Sequence, residues 1–306
     1  MKNNQTTFEA SLKSLDIESF LDVRIYRPIG YKFALLLKNT GITPNQVTII
    51  SVFFGVAAGI LFYPENFLIN LIGIFLLIFA YILDCVDGQL ARLTGIKSEV
   101  GRILDGIAGD LWFIAIYIAI AMRLEQVIPW SHPSVWAWTL ASLAGASNLI
   151  QSNITDYYKT LHLYFISLEK GAEFDTVERV RAKYEQMPSG ISKVMYWLYI
   201  YYTILQSKAT PQLQKLLARL KAKYGEDLPE EERQMLREKN IKIMPLVNRT
   251  TFNGRSIVLF LSLILSAFDN FEWALLIYLF YEIVVLNIFL IFAIFIHENI
   301  CKKYKV

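Results

Sequence analysis

Cysteine is nearly absent: Cys85 and Cys301 are the only two in 306 residues, too few for a disulfide framework or a zinc site. Both are expected to be reduced packing residues. Charged residues make up only 19% of the chain and the net charge is +3, so the distribution of charge says more than its sum. The most basic stretch, LLARLKAKYG, has no interleaved aromatic stacking positions; it suits anionic headgroups, and nucleic acid is not expected as a partner. The N-terminal MKNNQTTFEASLKSLDIESF lacks the basic start, apolar centre and small-residue cleavage site of a signal peptide, so insertion would rely on the first spanning helix. Internal repeats and low-complexity tracts are also missing.

What the chain does have is apolar surface. It is 55% hydrophobic, with 20 Phe, 17 Tyr and 6 Trp, the profile of an all-α polytopic membrane protein. Apolar runs fall at 46–63, 67–92, 102–124, 134–155, 256–268 and 271–298. A hydrocarbon core of about 30 Å needs around 20 residues, which predicts six spans, the fifth short unless it begins near Phe252. LDVRIYRPIGYKFALLLK, 21–38, mixes apolar positions with four basic residues and reads as an interfacial helix. Lys and Arg are absent from 63–67 and 269–272, and Arg123 alone edges the turn between spans three and four. The positive-inside rule then places both termini in the cytoplasm of a cell (inner) membrane protein.

The resulting divisions are an arm and interfacial helix at 1–45, spans one to four at 46–156, a cytoplasmic or interfacial helical insertion at 157–252, and spans five and six with the tail at 253–306. Within the insertion, LPEEERQMLREK has the acidic start and basic end of a soluble helix. KVMYWLYIYYTIL, 193–205, is apolar but short and rich in Tyr and Trp, which favours an interfacial or re-entrant placement.

The segment from Leu83 to Asp110 carries five acidic residues within or beside two spans. Asp84 and Asp87 share one helix face, and Asp105 enters the next span at a similar depth. Carboxylates there need compensation. One source is a salt-bridge cluster with Arg92 and Arg102. The other is a hard divalent cation, Mg2+ or Mn2+, singly or as a pair about 4 Å apart, since the site offers oxygen ligands and no histidine. Gly88, Ala91 and Gly101 line the acidic face and would let a planar or phosphorylated ligand approach the backbone, with Arg92 holding a phosphate oxygen. Tight helix packing is the competing explanation for each small residue.

DCVDGQLAR, eight residues and GRILD resemble the DxxDGxxAR(x8)GxxxDxxxD signature of the CDP-alcohol phosphotransferase family, matching seven of eight fixed positions. TPNQVT at 43–48 and VRIYRPIG resemble segments that precede the first span in that family. The resemblance implies a six-span membrane enzyme of lipid biosynthesis, in which an acceptor hydroxyl attacks the β-phosphorus of a CDP-linked donor and releases CMP. It also implies two ions held by Asp84, Asp87 and Asp105, a nucleotide seated by Asp84, Gly88, Ala91, Arg92 and Gly101, and a homodimer, since members commonly pair. The last aspartate of the signature would take the proton, but that position is Gly109 and Asp110 follows one residue late. On a regular helix Asp110 points about 140° away from Asp105. A π-bulge eased by Gly106 and Gly109 would realign it, making Asp110 and Asp105 the catalytic candidates.

Acceptor-binding candidates at the cytoplasmic side are Asp156, His162, Arg249 and Arg255. His132 is expected in an exposed outer turn. Whether the lipid is the donor or the acceptor is left open, as is the alcohol: inositol, inositol phosphate, glycerol phosphate, serine, ethanolamine and choline all fit the resemblance. Two rival readings stand: a binding protein disabled by Gly109, and an ion transporter, which would place its acids nearer the midplane and leave the DGxxAR spacing unexplained.

Overall fold

A computed structural model describes residues 8–96, 99–167, 169–225, 227–268, 271 and 273–305. Lys97, and Asp269, Asn270 and Glu272 of the loop used in the charge argument, lie outside the described residues. The described residues form helices and turns, with no strand among them. The α-helices are α1 (Arg27–Leu37), α2 (Pro44–Leu61), α3 (Phe67–Thr94), α4 (Glu99–Val127), α5 (Pro133–Ile166), α6 (Val177–Gln186), α7 (Ile191–Ala209), α8 (Pro211–Tyr224), α9 (Glu230–Asn240), α10 (Met244–Val247), α11 (Phe252–Leu265), α12 (Ala274–Phe280) and α13 (Leu286–Lys303). Single π-turns at Asp22–Tyr26 and Tyr281–Val285 lead into α1 and α13.

Among the described residues, four stretches are long and apolar enough to cross a membrane: α2, α3, Gly101–Val127 of α4, and Ala274–Lys303. The protein is therefore a membrane protein built from helices. The fourth and fifth runs of the sequence fall short for different reasons. α5 carries Asn148, Gln151, Asn153 and Asp156 from its middle onward, and α11 has only 14 residues although it does begin at Phe252.

The chain divides into two compact units. The first comprises 1–12, 18–149 and 252–285; the second comprises 13–17, 150–251 and 286–306. In the first unit, α2 starts on a capping box. Thr43 Oγ1 accepts from Gln46 N, Gln46 Oε1 accepts from Thr43 N at 2.9 Å, and Pro44 occupies the first turn, where its missing N–H costs nothing. Glycines on α2 admit α4: a Cβ at Gly59 would lie 2.7 Å from Ala115 Cβ, and one at Gly55 would collide with the Trp112 ring. A larger residue at either position would force the helices apart, at about 1–3 kcal/mol. Arg123, expected at the edge of an outer turn, is buried. It donates to the carbonyls of Phe62 (3.1 Å) and Ser266 (3.2 Å), acceptors left over at the ends of α2 and α11.

The second unit has its own apolar core, drawn from Ile154, Leu161, Leu213, Leu236, Val247 and Leu290 among others. Here α8 is capped from outside its own sequence: Glu298 of α13 accepts from the N–H groups of Gln212 (2.6 Å) and Leu213 (3.1 Å), placing a negative charge at a helix N-terminus. The acidic first turn and basic last turn of LPEEERQMLREK do form a helix, α9.

Candidate active site

All the groups of the acidic site lie in the first unit. On α3, residues 84, 87, 88 and 91 follow the i, i+3, i+4 and i+7 spacing of a single helix face, so Asp84, Asp87, Gly88 and Ala91 form one stripe. On α4, Gly101 sits one turn before Asp105. The two helices bring one oxygen each of Asp84, Asp87 and Asp105 to within 4.8 Å of one another. Asp87 is the most enclosed, at 4% exposure, while the other two are half-buried.

Thr48 was not anticipated. Its hydroxyl donates to Asp87 Oδ2 at 2.5 Å and lies within reach of the Pro44 carbonyl at 3.2 Å. The cap residues of TPNQVT start α2, and the last threonine, one turn on, orients the buried carboxylate. The motif was legible in the sequence; its target on α3 was not.

Three oxygen donors this close, one of them buried and fixed by a hydroxyl, match what a hard divalent cation requires. Three carboxylates at such separations repel one another in an apolar setting, and a cation among them relieves that repulsion. The residues therefore fit the cation that the acidic pattern suggested. Around them the surface is open. A Cβ at Gly106 or Gly109 would meet nothing within 4 Å, so the α4 face beside Asp105 leaves room for a ligand. Arg92 folds back along α3, its Nη2 3.3 Å from where a Cβ on Gly88 would stand, and its Nε donates to the Ser11 carbonyl at 2.5 Å.

The anticipated π-bulge is not there. α4 runs as a regular α-helix through 105–110, which leaves Asp110 on another side from Asp105 and outside the three-carboxylate group. The physical reason is that α4 packs closely on α2 through Trp112, Ala115 and Ile116, and an extra residue in a turn would rotate these contacts out of register. Asp110 instead lies within the electrostatic reach of Arg255. Arg255, placed by the sequence at the mouth of a span, is 1% exposed, 3.6 Å from Glu282 and 5.2 Å above the Phe113 ring.

A second polar hub in this unit also escaped the sequence reading. Buried Asp22 accepts from Tyr81 Oη (2.7 Å) and Asn253 Nδ2 (2.9 Å), joining the π-turn before α1 to α3 and α11. No local spacing signals these contacts, which span 59 and 231 residues.

Asp156, His162 and Arg249 belong to the second unit. Asp156 and Arg249 are exposed. His162 is fully buried, with Nε2 3.0 Å from Asp16 Oδ2 and Nδ1 3.2 Å from Asn240 Nδ2. These partners define a neutral ring that donates through Nε2 and accepts at Nδ1. Both nitrogens are thus engaged within the fold. Burial lowers the imidazole from its ordinary value, and the hydrogen bond to Asp16 only partly offsets this. For Asp16, burial pushes the carboxyl up, but hydrogen bonds from His162 and Arg237 outweigh it and hold it below the usual range. His132 is exposed at a left-handed φ of 60°, as a turn residue should be.

Comparison with known proteins agrees with this geometry. Residues 41–172 match the family model described as CDP-alcohol phosphatidyltransferase. Over 86 residues the chain is 42% identical to an archaetidylinositol phosphate synthase of Pyrococcus horikoshii, a match covering 28% of this chain and 44% of that protein. The chain thus spans less than half the length of the curated relative it matches.

Proposed function

From the premise that residues 41–172 form a CDP-alcohol phosphatidyltransferase domain, we propose that the protein transfers a phosphoalcohol group from a CDP-linked donor to an acceptor hydroxyl. The acceptor oxygen bonds to the β-phosphorus, the bond from that phosphorus to the bridging oxygen breaks, and CMP leaves with the bridging oxygen. The acceptor's proton passes to a carboxylate. The observation that carries this reading is the convergence of Asp84, Asp87 and Asp105 beside the open glycine face of α4.

Those three residues would hold Mg2+ or Mn2+, as two ions, whose charge would neutralise the diphosphate and favour loss of CMP. Thr48 keeps Asp87 in the orientation its ligand role needs. Gly88, Ala91 and Gly101 leave the backbone accessible to the nucleotide, and Arg92, anchored at Ser11, would bring guanidinium charge to the phosphate oxygens. With α4 regular, Asp105 is the carboxylate beside the lane open to an acceptor, and we give it the proton; Asp110 would serve only if the helix rearranged. The relative's name makes an inositol phosphate the first acceptor to test. We place the reaction at the cytoplasmic face, with six spans, an interfacial α1 and cytoplasmic termini, following the distribution of Lys and Arg.

The deciding experiment is CMP release by purified protein, given CDP-linked lipid and inositol phosphate, with and without Mg2+ or Mn2+. Release that requires the ion and is lost in Asp87→Asn supports the reading; nucleotide binding without release supports the alternative of a disabled family member. Asp110→Asn should retain turnover. Gly109→Asp has room for its side chain, and a gain in turnover there would identify Gly109 as what limits the enzyme.

A further inference from the structure

The α6–α7 hairpin lies beyond the matched domain, in the second unit. Its second helix is amphipathic in an inverted sense. Val194, Trp197, Leu198, Tyr201 and Leu205 are exposed by 37–59%. At about 100° per residue they fall within an arc of roughly 100° over residues 194–205. The opposite face buries polar groups: Tyr196, Thr203 and Gln206 are at most 5% exposed. A helix that hides its polar side and shows an apolar one is made for a lipid setting.

Hydrogen bonds fix the level at which it sits. Asn153 Nδ2 donates to the Tyr202 carbonyl at 3.1 Å, and Gln206 Nε2 donates to the Asn153 carbonyl at 3.2 Å. Asn153 lies where α5 leaves its apolar run: Ile150 is the last exposed large apolar side chain on that helix, and Asp156 is exposed. With α5 as the fourth span, as proposed above, this level is the boundary between hydrocarbon and headgroups. Lys193 and Lys208 lie near its two ends, about 22 Å apart. A perpendicular helix would drive one end and the charged α6 into hydrocarbon, or leave the Trp197–Tyr201 stripe in water. A helix lying in the plane does neither.

Charge adds a preference among lipids. Between 175 and 209, five basic residues face three acidic ones, with Arg179 3.6 Å from Asp175. At the start of α7, Tyr184, Ser189, Gly190, Lys193, Val194 and Trp197 line an open notch of about 300 Å³. Lys193 Nζ donates to the Met187 carbonyl at 3.1 Å and sits 5.0 Å over the Tyr184 ring, leaving ammonium N–H groups for an anion.

We propose that α6–α7 is a monotopic docking element that lies in the membrane plane, with its Val194–Leu205 stripe at the acyl boundary and an anionic lipid headgroup at the Lys193 notch. The proposal is independent of the transfer reaction, so its failure would leave that reading intact. The test uses the full chain in bilayer discs of phosphatidylcholine, alone or with phosphatidylglycerol. Nitroxide labels at Val194→Cys, Tyr201→Cys and, as a water-facing control, Arg181→Cys report collisions with oxygen and with a water-soluble nickel chelate. Cys85 and Cys301 are buried, and unsubstituted protein checks that they take no label. Labels at 194 and 201 should lie about 5–10 Å below the headgroups, deeper with phosphatidylglycerol, and Lys193→Gln should abolish that shift. Three outcomes overturn the proposal: nickel access exceeding oxygen access in both lipids, depths near the bilayer centre, or shielding from both reagents with spin–spin broadening, which means a second copy covers the face. Equal depths in the two lipids overturn the headgroup site.

Discussion

Around Asp87 acid meets acid, whereas around Asp16 acid meets base. Asp84, Asp87 and Asp105 offer oxygens within 4.8 Å of one another. Asp16 instead accepts from His162 at 3.0 Å and from Arg237 Nε at 2.8 Å. Both clusters join distant parts of the chain, and in the second a histidine and an arginine face the acid. A self-neutralised cluster serves architecture, here tying residues 13–17 to α5 and α9 within the second unit. A cluster of like charge costs folding energy that a bound cation would offset, the role proposed above for Mg2+ or Mn2+. Carboxylates of one chain can thus be sorted by the groups they face.

The contrast can be broken most forcefully at Asp87. Asp87→Asn should lower metal-dependent CMP release by about a hundredfold to a thousandfold, comparable to losing one preorganised electrostatic contact. The same variant should melt at a higher temperature than the parent when both are stripped of metal by chelator, because one like charge has gone. Thr48→Val keeps the charges and removes only the hydroxyl on Asp87; titrating Mn2+ against activity should show a 10- to 100-fold weaker metal requirement, as for other outer-shell partners.

At the self-neutralised cluster the effect should appear in stability and not in chemistry. Asp16→Asn takes the charge out of two hydrogen bonds, each worth about 1.5–3 kcal/mol when charge-assisted. The lower end is expected because Arg237 is 45% exposed. Amide exchange in α9 should quicken while CMP release is retained. The smallest effect is a slope with pH. His162 and Asp16 both have folded values below their unfolded ones, so the unfolded chain binds more protons and stability falls as pH is lowered. His162 contributes below its ordinary value of 6.5, and Asp16 around and below 3.8. Exchange protection of α9 should follow that order, and His162→Gln should remove the upper part.

Much of the acidic site was legible beforehand because it obeys local rules. Asp84, Asp87, Gly88 and Ala91 share a face on any α-helix, and Thr43, Pro44 and Gln46 start one by their own chemistry. Legibility stopped at contacts with large sequence separation. The Thr48 hydroxyl finds Asp87 across 39 residues, and His162, one of four acceptor-binding candidates, meets Asp16 across 146.

Sequence alone settled that this is a helical membrane protein carrying an acidic signature, since hydropathy and residue spacing are properties of the chain taken a turn or a span at a time. Tertiary structure decided whether α4 bulges at Gly109, where Arg123 spends its charge, and which carboxylates meet a base. Each of these is a choice between local states of similar energy, and packing against a distant helix makes it.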